Sequence, residues 1–129
     1  MRYLTTKELI AINTFVIKKY TPAEPIGVKD HALLESAVLR PQTTVDGKDA
    51  YENLFEKAAA LFESVALNHV FINGNKRTAF QSLAIFLSYN GYRFIMETDK
   101  KVDLTVNVVL HHYSFSEITN IIQEHSIKR

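Results

Sequence analysis

Apolar positions recur along this chain at helical spacing. Leu9, Ile12, Val16 and Tyr20 share one face, and Thr5 followed three residues later by Glu8 predicts a capping box at the start of that helix. Pro22 and Pro25 end it. Asp30 is placed to cap a short second helix carrying Leu33, Leu34, Ala37 and Val38, which Pro41 stops. Asn53 with Glu56 predicts a third start, with a stripe through Leu54, Ala58, Leu61, Phe62 and Val65. A fourth helix is predicted from about Asn75 to Asn90-Gly91, where Gly91 suits a left-handed C-terminal cap. Its body, TAFQSLAIFLSY, is apolar nearly all round, which predicts the buried central helix. Tyr92 to Met96 reads as a short extended piece. Two further helices are expected, from about Asp99 to His112 and from a Ser114/Glu117 capping box. The pattern is all-α, about six helices with almost no sheet.

The 40–52 stretch departs from this periodicity. Asp46-Gly47 lies between two short β-tolerant runs, which is a hairpin signal. On local grounds alone an ordinary surface loop is the preferred reading.

Length and composition narrow the class. The 129 residues amount to one domain, 1–129, and 47% hydrophobic with 22% charged residues is globular composition. Formal net charge is +1, and neither half of the chain is a polybasic arm, so no direct nucleic-acid partner is expected. The absence of cysteine removes disulfides, thiolate nucleophiles and Cys-ligated zinc. No apolar run approaches the ~20 residues of a membrane span. The opening MRYLTTKELIAINTF lacks a basic start followed by an apolar signal core. A cytoplasmic location is the expectation.

One segment carries candidate chemistry, His69-Val70-Phe71-Ile72-Asn73-Gly74-Asn75-Lys76-Arg77-Thr78. Extending the third stripe four residues beyond Val65 places His69 at the C-terminal end of its helix, near the core. Lys76 and Arg77 fall in the first turn of the fourth helix. Cations there oppose the helix dipole unless an anion is bound. With an anion, the first-turn N–H groups, the dipole, Lys76 and Arg77 all converge on it. Gly74 permits close backbone approach and dihedrals that a side chain forbids. Asn73 and Asn75 offer amide donors and acceptors, and Phe71 is the apolar anchor of the loop. The segment reads as a phosphate cradle beside an imidazole. His31, His111, His112 and His125 read as ordinary packing or surface residues, and no pair of histidines has i,i+4 metal-ligand spacing.

This segment resembles the signature of the Fic/Doc superfamily, and within it the Doc toxin branch. That pattern is His, any, Phe, any, Asp or Asn, Ala or Gly, then Asn-Lys-Arg, and residues 69–77 match it at each specified position. Gly27-Val28-Lys29-Asp30 with Leu33 to Ala37, Arg40-Pro41-Gln42, and Leu54 to Ala59 resemble the flanking parts of Doc-like chains. The likeness runs from Leu4 to about Phe94. It implies a compact Fic/Doc-type helical bundle with a short extended flap. It also implies a kinase toxin that moves the γ-phosphate of ATP, with Mg²⁺, to a threonine of elongation factor Tu and halts translation. A Phd-type antitoxin is the implied partner.

The roles implied by the resemblance are residue-specific. His69 is the general base; Asn73, Gly74, Asn75, Lys76 and Arg77 hold the nucleotide. Thr43, Thr44 and Val45 form the flap edge that aligns the protein substrate. Lys76 stands where AMP-transferases of the superfamily have a second glycine, and Phe80 where they carry a second arginine. Both departures disfavour the alternative of AMP or other nucleotidyl transfer. Asn73 stands where an aspartate binds Mg²⁺ in Doc, so its amide oxygen is the implied, weaker metal ligand. That departure is the one feature favouring a catalytically silent Fic-fold binding module. Many Fic enzymes are restrained by their own helix carrying Ser or Thr, three variable residues and Glu. No glutamate here has Ser or Thr four residues before it. Restraint is therefore expected from the separate antitoxin.

Overall fold

The computed structural model describes residues 1–129 and contains six helices: α1 (Thr6–Tyr20), α2 (His31–Leu39), α3 (Leu54–Leu67), α4 (Asn75–Tyr89), α5 (Thr98–Val109) and α6 (Phe115–Glu124). Their starts are set locally. Thr5 and Ser114 form reciprocal capping boxes with Glu8 and Glu117, while Asp30 and Asn53 accept from the N–H groups of Leu33 and Glu56. At the other end of α4, Gly91 takes φ +89°. Pro41 does not end the chain's coiling after α2. It lies buried within a 3₁₀ turn, Arg40–Gln42, that continues directly from Leu39.

The core is one cluster of 23 buried residues drawn from all six helices, the loop after α3, and Leu4 ahead of α1. No residue of α4 from Thr78 to Tyr89 is exposed, as its all-round apolar body requires. The more deeply buried helix is nevertheless α3, with nine of its fourteen residues buried against seven of fifteen in α4. The run Ala58-Ala59-Ala60 explains the difference, since small side chains let neighbouring helices close over a helix on several sides.

Four short strands complete the fold. β1 (Thr44–Val45) and β2 (Lys48–Asp49) form a hairpin across Asp46 and Gly47, both at positive φ, as a two-residue hairpin turn demands. β3 (Tyr92–Phe94) pairs antiparallel with β4 (Ser126–Lys128), tying the chain end to the turn after α4. No helix is long and apolar enough to cross a membrane.

Candidate active site

The third helix stops earlier than its apolar stripe suggests. α3 ends at Leu67, and Asn68 caps it by donating its N–H to the Ser64 carbonyl at 3.1 Å. His69 therefore lies beyond the helix in the left-handed region, φ +48°, and is exposed instead of near the core. The cause is tertiary. Val70 and Phe71 are fully buried, the Val70 carbonyl accepts from Lys29 and Asp30 N–H at 2.9 and 3.2 Å, and Val28 bridges to Phe71. Turning the chain into that pairing requires a left-handed residue, which costs a non-glycine roughly 1–2 kcal/mol. Burial of Val70 and Phe71, at about 1.5–3 kcal/mol each, outweighs the cost.

Neutral amides hold the loop that follows. The Asn75 side chain accepts from Phe71 N–H and donates to Phe71 carbonyl, both at 2.9 Å. One donor and one acceptor of its amide are thus given to the loop backbone, so Asn75 shapes the loop. Asn73 Nδ2 donates to the Pro25 carbonyl at 3.0 Å, leaving Oδ1 as its free oxygen. From α1, Asn13 donates to the Asn73 carbonyl at 2.9 Å and to Thr78 Oγ1 at 3.1 Å. Asn13 and Thr78 are both buried, and sequence reasoning missed them. The available signal was a polar residue between Leu9 and Ile17 on the buried face of α1. Gly74, at φ +74°, is needed twice over, because a Cβ there would lie 2.8 Å from Ile17 Cδ1.

With the amides engaged, the charged groups remain free. Gly74 is the N-cap residue of α4 and supplies no side-chain acceptor, so the first-turn N–H groups are uncapped. Lys76 and Arg77 are exposed beside them and take part in none of the three ion pairs of the chain. The Arg77 guanidinium lies 4.3 Å from the ring centroid of Tyr20, the last residue of α1. His69, Asn73, Gly74, Asn75, Lys76 and Arg77 all line one cavity of about 470 Å³. Phe80 lines it too. Among the five histidines, ring hydrogen bonds are made by His112 to Asn107 and by His125 to the Ile121 carbonyl, which accounts for those two structurally. No group of three or more histidine or carboxylate side chains is arranged to hold a metal by itself. Asn73 Oδ1 is a hard oxygen suited to a cation that takes most of its ligands from bound phosphates.

The hairpin is elsewhere. Thr43, Thr44 and Val45 are exposed and none lines the cavity. Asp49 of β2 pairs at 3.2 Å with Lys57 in the first turns of α3, whose Nζ is buried and also reaches the Pro41 carbonyl. Arg40 ties Tyr51 to the C-terminal half of α3, donating to the Tyr51 hydroxyl and Ser64 Oγ and pairing with Glu63 at 2.8 Å. Burial works against the Arg40 charge, yet its bonds to Tyr51 and Glu63 leave its pKa raised. His69 follows the C-terminal end of α3, whose 14 residues span about 21 Å at ~1.5 Å per residue. The structure brings the loop residues together around one cavity, and the flap residues are not among those lining it.

Fold and site define a helical protein in which an uncapped helix N-terminus, two unpaired cations and an exposed imidazole line one cavity. Residues 3–87 match the family model described as Fic/DOC family. Toxin Doc of Mycolicibacterium smegmatis (strain ATCC 700084 / mc(2)155) is 50% identical over 72 residues, 56% of this chain and 55% of that protein. Protein kinase doc of Escherichia phage P1 is 32% identical over 126 residues, 95% of this chain and 94% of that protein. The chain belongs to the Fic/DOC family.

Proposed function

We propose that this protein is a Doc-type toxin that transfers the γ-phosphoryl group of ATP to a serine or threonine hydroxyl of a protein. The observation that carries this reading is the convergence of His69, Lys76, Arg77 and the uncapped N-terminus of α4 on one cavity. His69, with no structural bond to lose, takes the hydroxyl proton. The hydroxyl oxygen bonds to the γ-phosphorus as the bridging bond to the β-phosphate breaks, and ADP departs. Lys76, Arg77 and the first-turn N–H groups hold the phosphate charge, which is most of what phosphoryl transfer asks of a protein. Mg²⁺, held by Asn73 Oδ1 and the phosphates, supplies further charge neutralisation when bound.

Phe80 and Lys76 support phosphoryl over nucleotidyl transfer, because the cavity wall has an aromatic ring at Phe80 where a second arginine would grip the phosphates. Elongation factor Tu is the proposed substrate and a Phd-like antitoxin the proposed partner, both on the strength of the Doc resemblance. The test incubates the purified protein with bacterial lysate and ATP labelled at the γ- or the α-phosphate. Label from γ alone on a protein band at the mass of elongation factor Tu is the expected result. Label from α identifies a nucleotidyl transferase, and absence of label in either arm identifies a silent binding module.

A further inference from the structure

The cavity that holds the motif has a single carboxylate in its wall, Glu24, which the motif does not include. Glu24 is exposed and takes no part in the chain's three ion pairs, although Lys76 and Arg77 line the same cavity. Its place is set by the chain that leaves α1. Glu24 N–H closes a turn onto the Thr21 carbonyl at 2.9 Å, and the next residue is Pro25. The Pro25 carbonyl is the group that binds Asn73 Nδ2 at 3.0 Å. One carboxylate is thus one residue away, along the backbone, from a direct hydrogen bond to the amide whose oxygen is free.

This arrangement suits an uncharged amide at position 73. An aspartate there would set its carboxylate against the Pro25 carbonyl, replacing a donor–acceptor bond with a contact between two acceptors. The amide N–H serves the loop, and the one carboxylate in the cavity wall is that of Glu24. Alone, a carboxylate in a phosphate cavity repels the ligand. With a divalent cation between them the sign reverses, and Mg²⁺ characteristically takes one or two carboxylates together with phosphate oxygens and water.

We infer that Glu24 is a metal-site residue, its carboxylate joining Asn73 Oδ1 to hold the divalent cation that accompanies a nucleoside triphosphate. The inference rests on the phosphotransfer reading, and the experiment separates the two. Binding of the non-hydrolysable ATP analogue AMP-PNP is measured by calorimetry in EDTA, and free Mn²⁺ is followed by electron paramagnetic resonance with AMP-PNP saturating. The proteins are the unaltered chain, Glu24→Gln, and Glu35→Gln as a control for net charge on the exposed face of α2. In Glu24→Gln, Mn²⁺ affinity falls by roughly tenfold. Metal-free AMP-PNP binds Glu24→Gln as tightly as the unaltered chain or more tightly, since a repulsion is removed. Glu35→Gln changes neither. Unchanged Mn²⁺ affinity in Glu24→Gln overturns the assignment while AMP-PNP binding upholds the nucleotide site. Tighter binding of both metal-free and Mn²⁺-loaded AMP-PNP shows a carboxylate facing the phosphates directly, and overturns it as well. Failure of the folded, unaltered chain to bind AMP-PNP overturns the phosphotransfer reading and this inference together.

Discussion

The two ends of α3 carry the two segments that most invite a functional reading, and they are held by opposite means. At its start, charges do the holding. Buried Lys57 grips Asp49 of the hairpin there, while Arg40 is spent on Tyr51, just ahead of the helix, and on Glu63 and Ser64 farther along it. Beyond its end, neutral amides do the holding, with Asn75 on Phe71, Asn13 on Asn73 and Thr78, and Asn73 on Pro25. Charges used as scaffold are unavailable to a ligand. At the loop the scaffold is uncharged, so His69, Lys76 and Arg77 stay free to meet a ligand. The difference separates a structural region rich in charge from a site rich in charge.

The largest expected effect tests the site end. His69→Ala lowers phosphoryl transfer by about 10²–10⁴-fold, the usual worth of general-base help. His69 is exposed and unbonded, so urea unfolding shows a stability within about 0.5 kcal/mol of the unaltered protein. Retained transfer in this variant removes His69 from the mechanism.

Next comes the amide scaffold. Asn13→Ala leaves the Asn73 carbonyl and the Thr78 hydroxyl without their donor, a loss of about 1–3 kcal/mol in unfolding free energy. AMP-PNP affinity falls with it, although no charged group has been altered. Full affinity in a destabilised Asn13→Ala would show that the loop keeps its shape without α1. Gly74→Ala costs about 1–2 kcal/mol from the left-handed backbone alone, with the close approach to Ile17 added.

The flap end should behave differently. Lys57→Met removes a buried ammonium whose partner Asp49 is more than half exposed and rehydrates on release, so stability changes little. AMP-PNP binding is unaffected. Thr44→Pro removes a donor, and the ladder alternation beside the Ala50 N–H to Thr43 carbonyl bond places that donor on the hairpin's outer edge. Transfer to a protein substrate falls while AMP-PNP binding survives, if main-chain pairing at this edge aligns the target. Equal activity in Thr44→Pro would confine the hairpin to a structural role.

The smallest effect concerns pH. Glu8 accepts from the Tyr89 hydroxyl, which, with its capping bonds to Thr5, holds the carboxyl below its ordinary value of 4.5. A lowered folded pKa contributes stability that is present above the unfolded value and lost as pH falls through the folded one. Melting temperature should therefore drop below pH about 4.5, and Glu8→Gln should flatten that drop. No comparable pH dependence is expected from the Asn13–Asn73–Asn75 scaffold, which does not titrate.

The sequence by itself determined what short-range chemistry determines. Thr5 with Glu8, Asn53 with Glu56, Ser114 with Glu117 and Asp30 start their helices through side-chain bonds three residues long, and the cap at Gly91 rests on backbone dihedrals, whereas at Asp46-Gly47 local signals favoured a surface loop over the hairpin that forms. The His69–Arg77 run was legible for the same reason, being nine consecutive residues whose anion chemistry sits in one turn of helix. What only the tertiary structure decided involves partners distant in the chain. His69 leaves its helix because Val70 is claimed by Lys29 and Asp30, and the Asn75 amide is oriented by turning back on Phe71. Asn13 reaches the loop from 60 residues away, and β3 finds its partner only at β4. The anchoring of the flap is likewise tertiary, since Asp49 is held by Lys57 and the preceding Arg40 by Glu63 and Ser64, partners that no local pattern in the flap records.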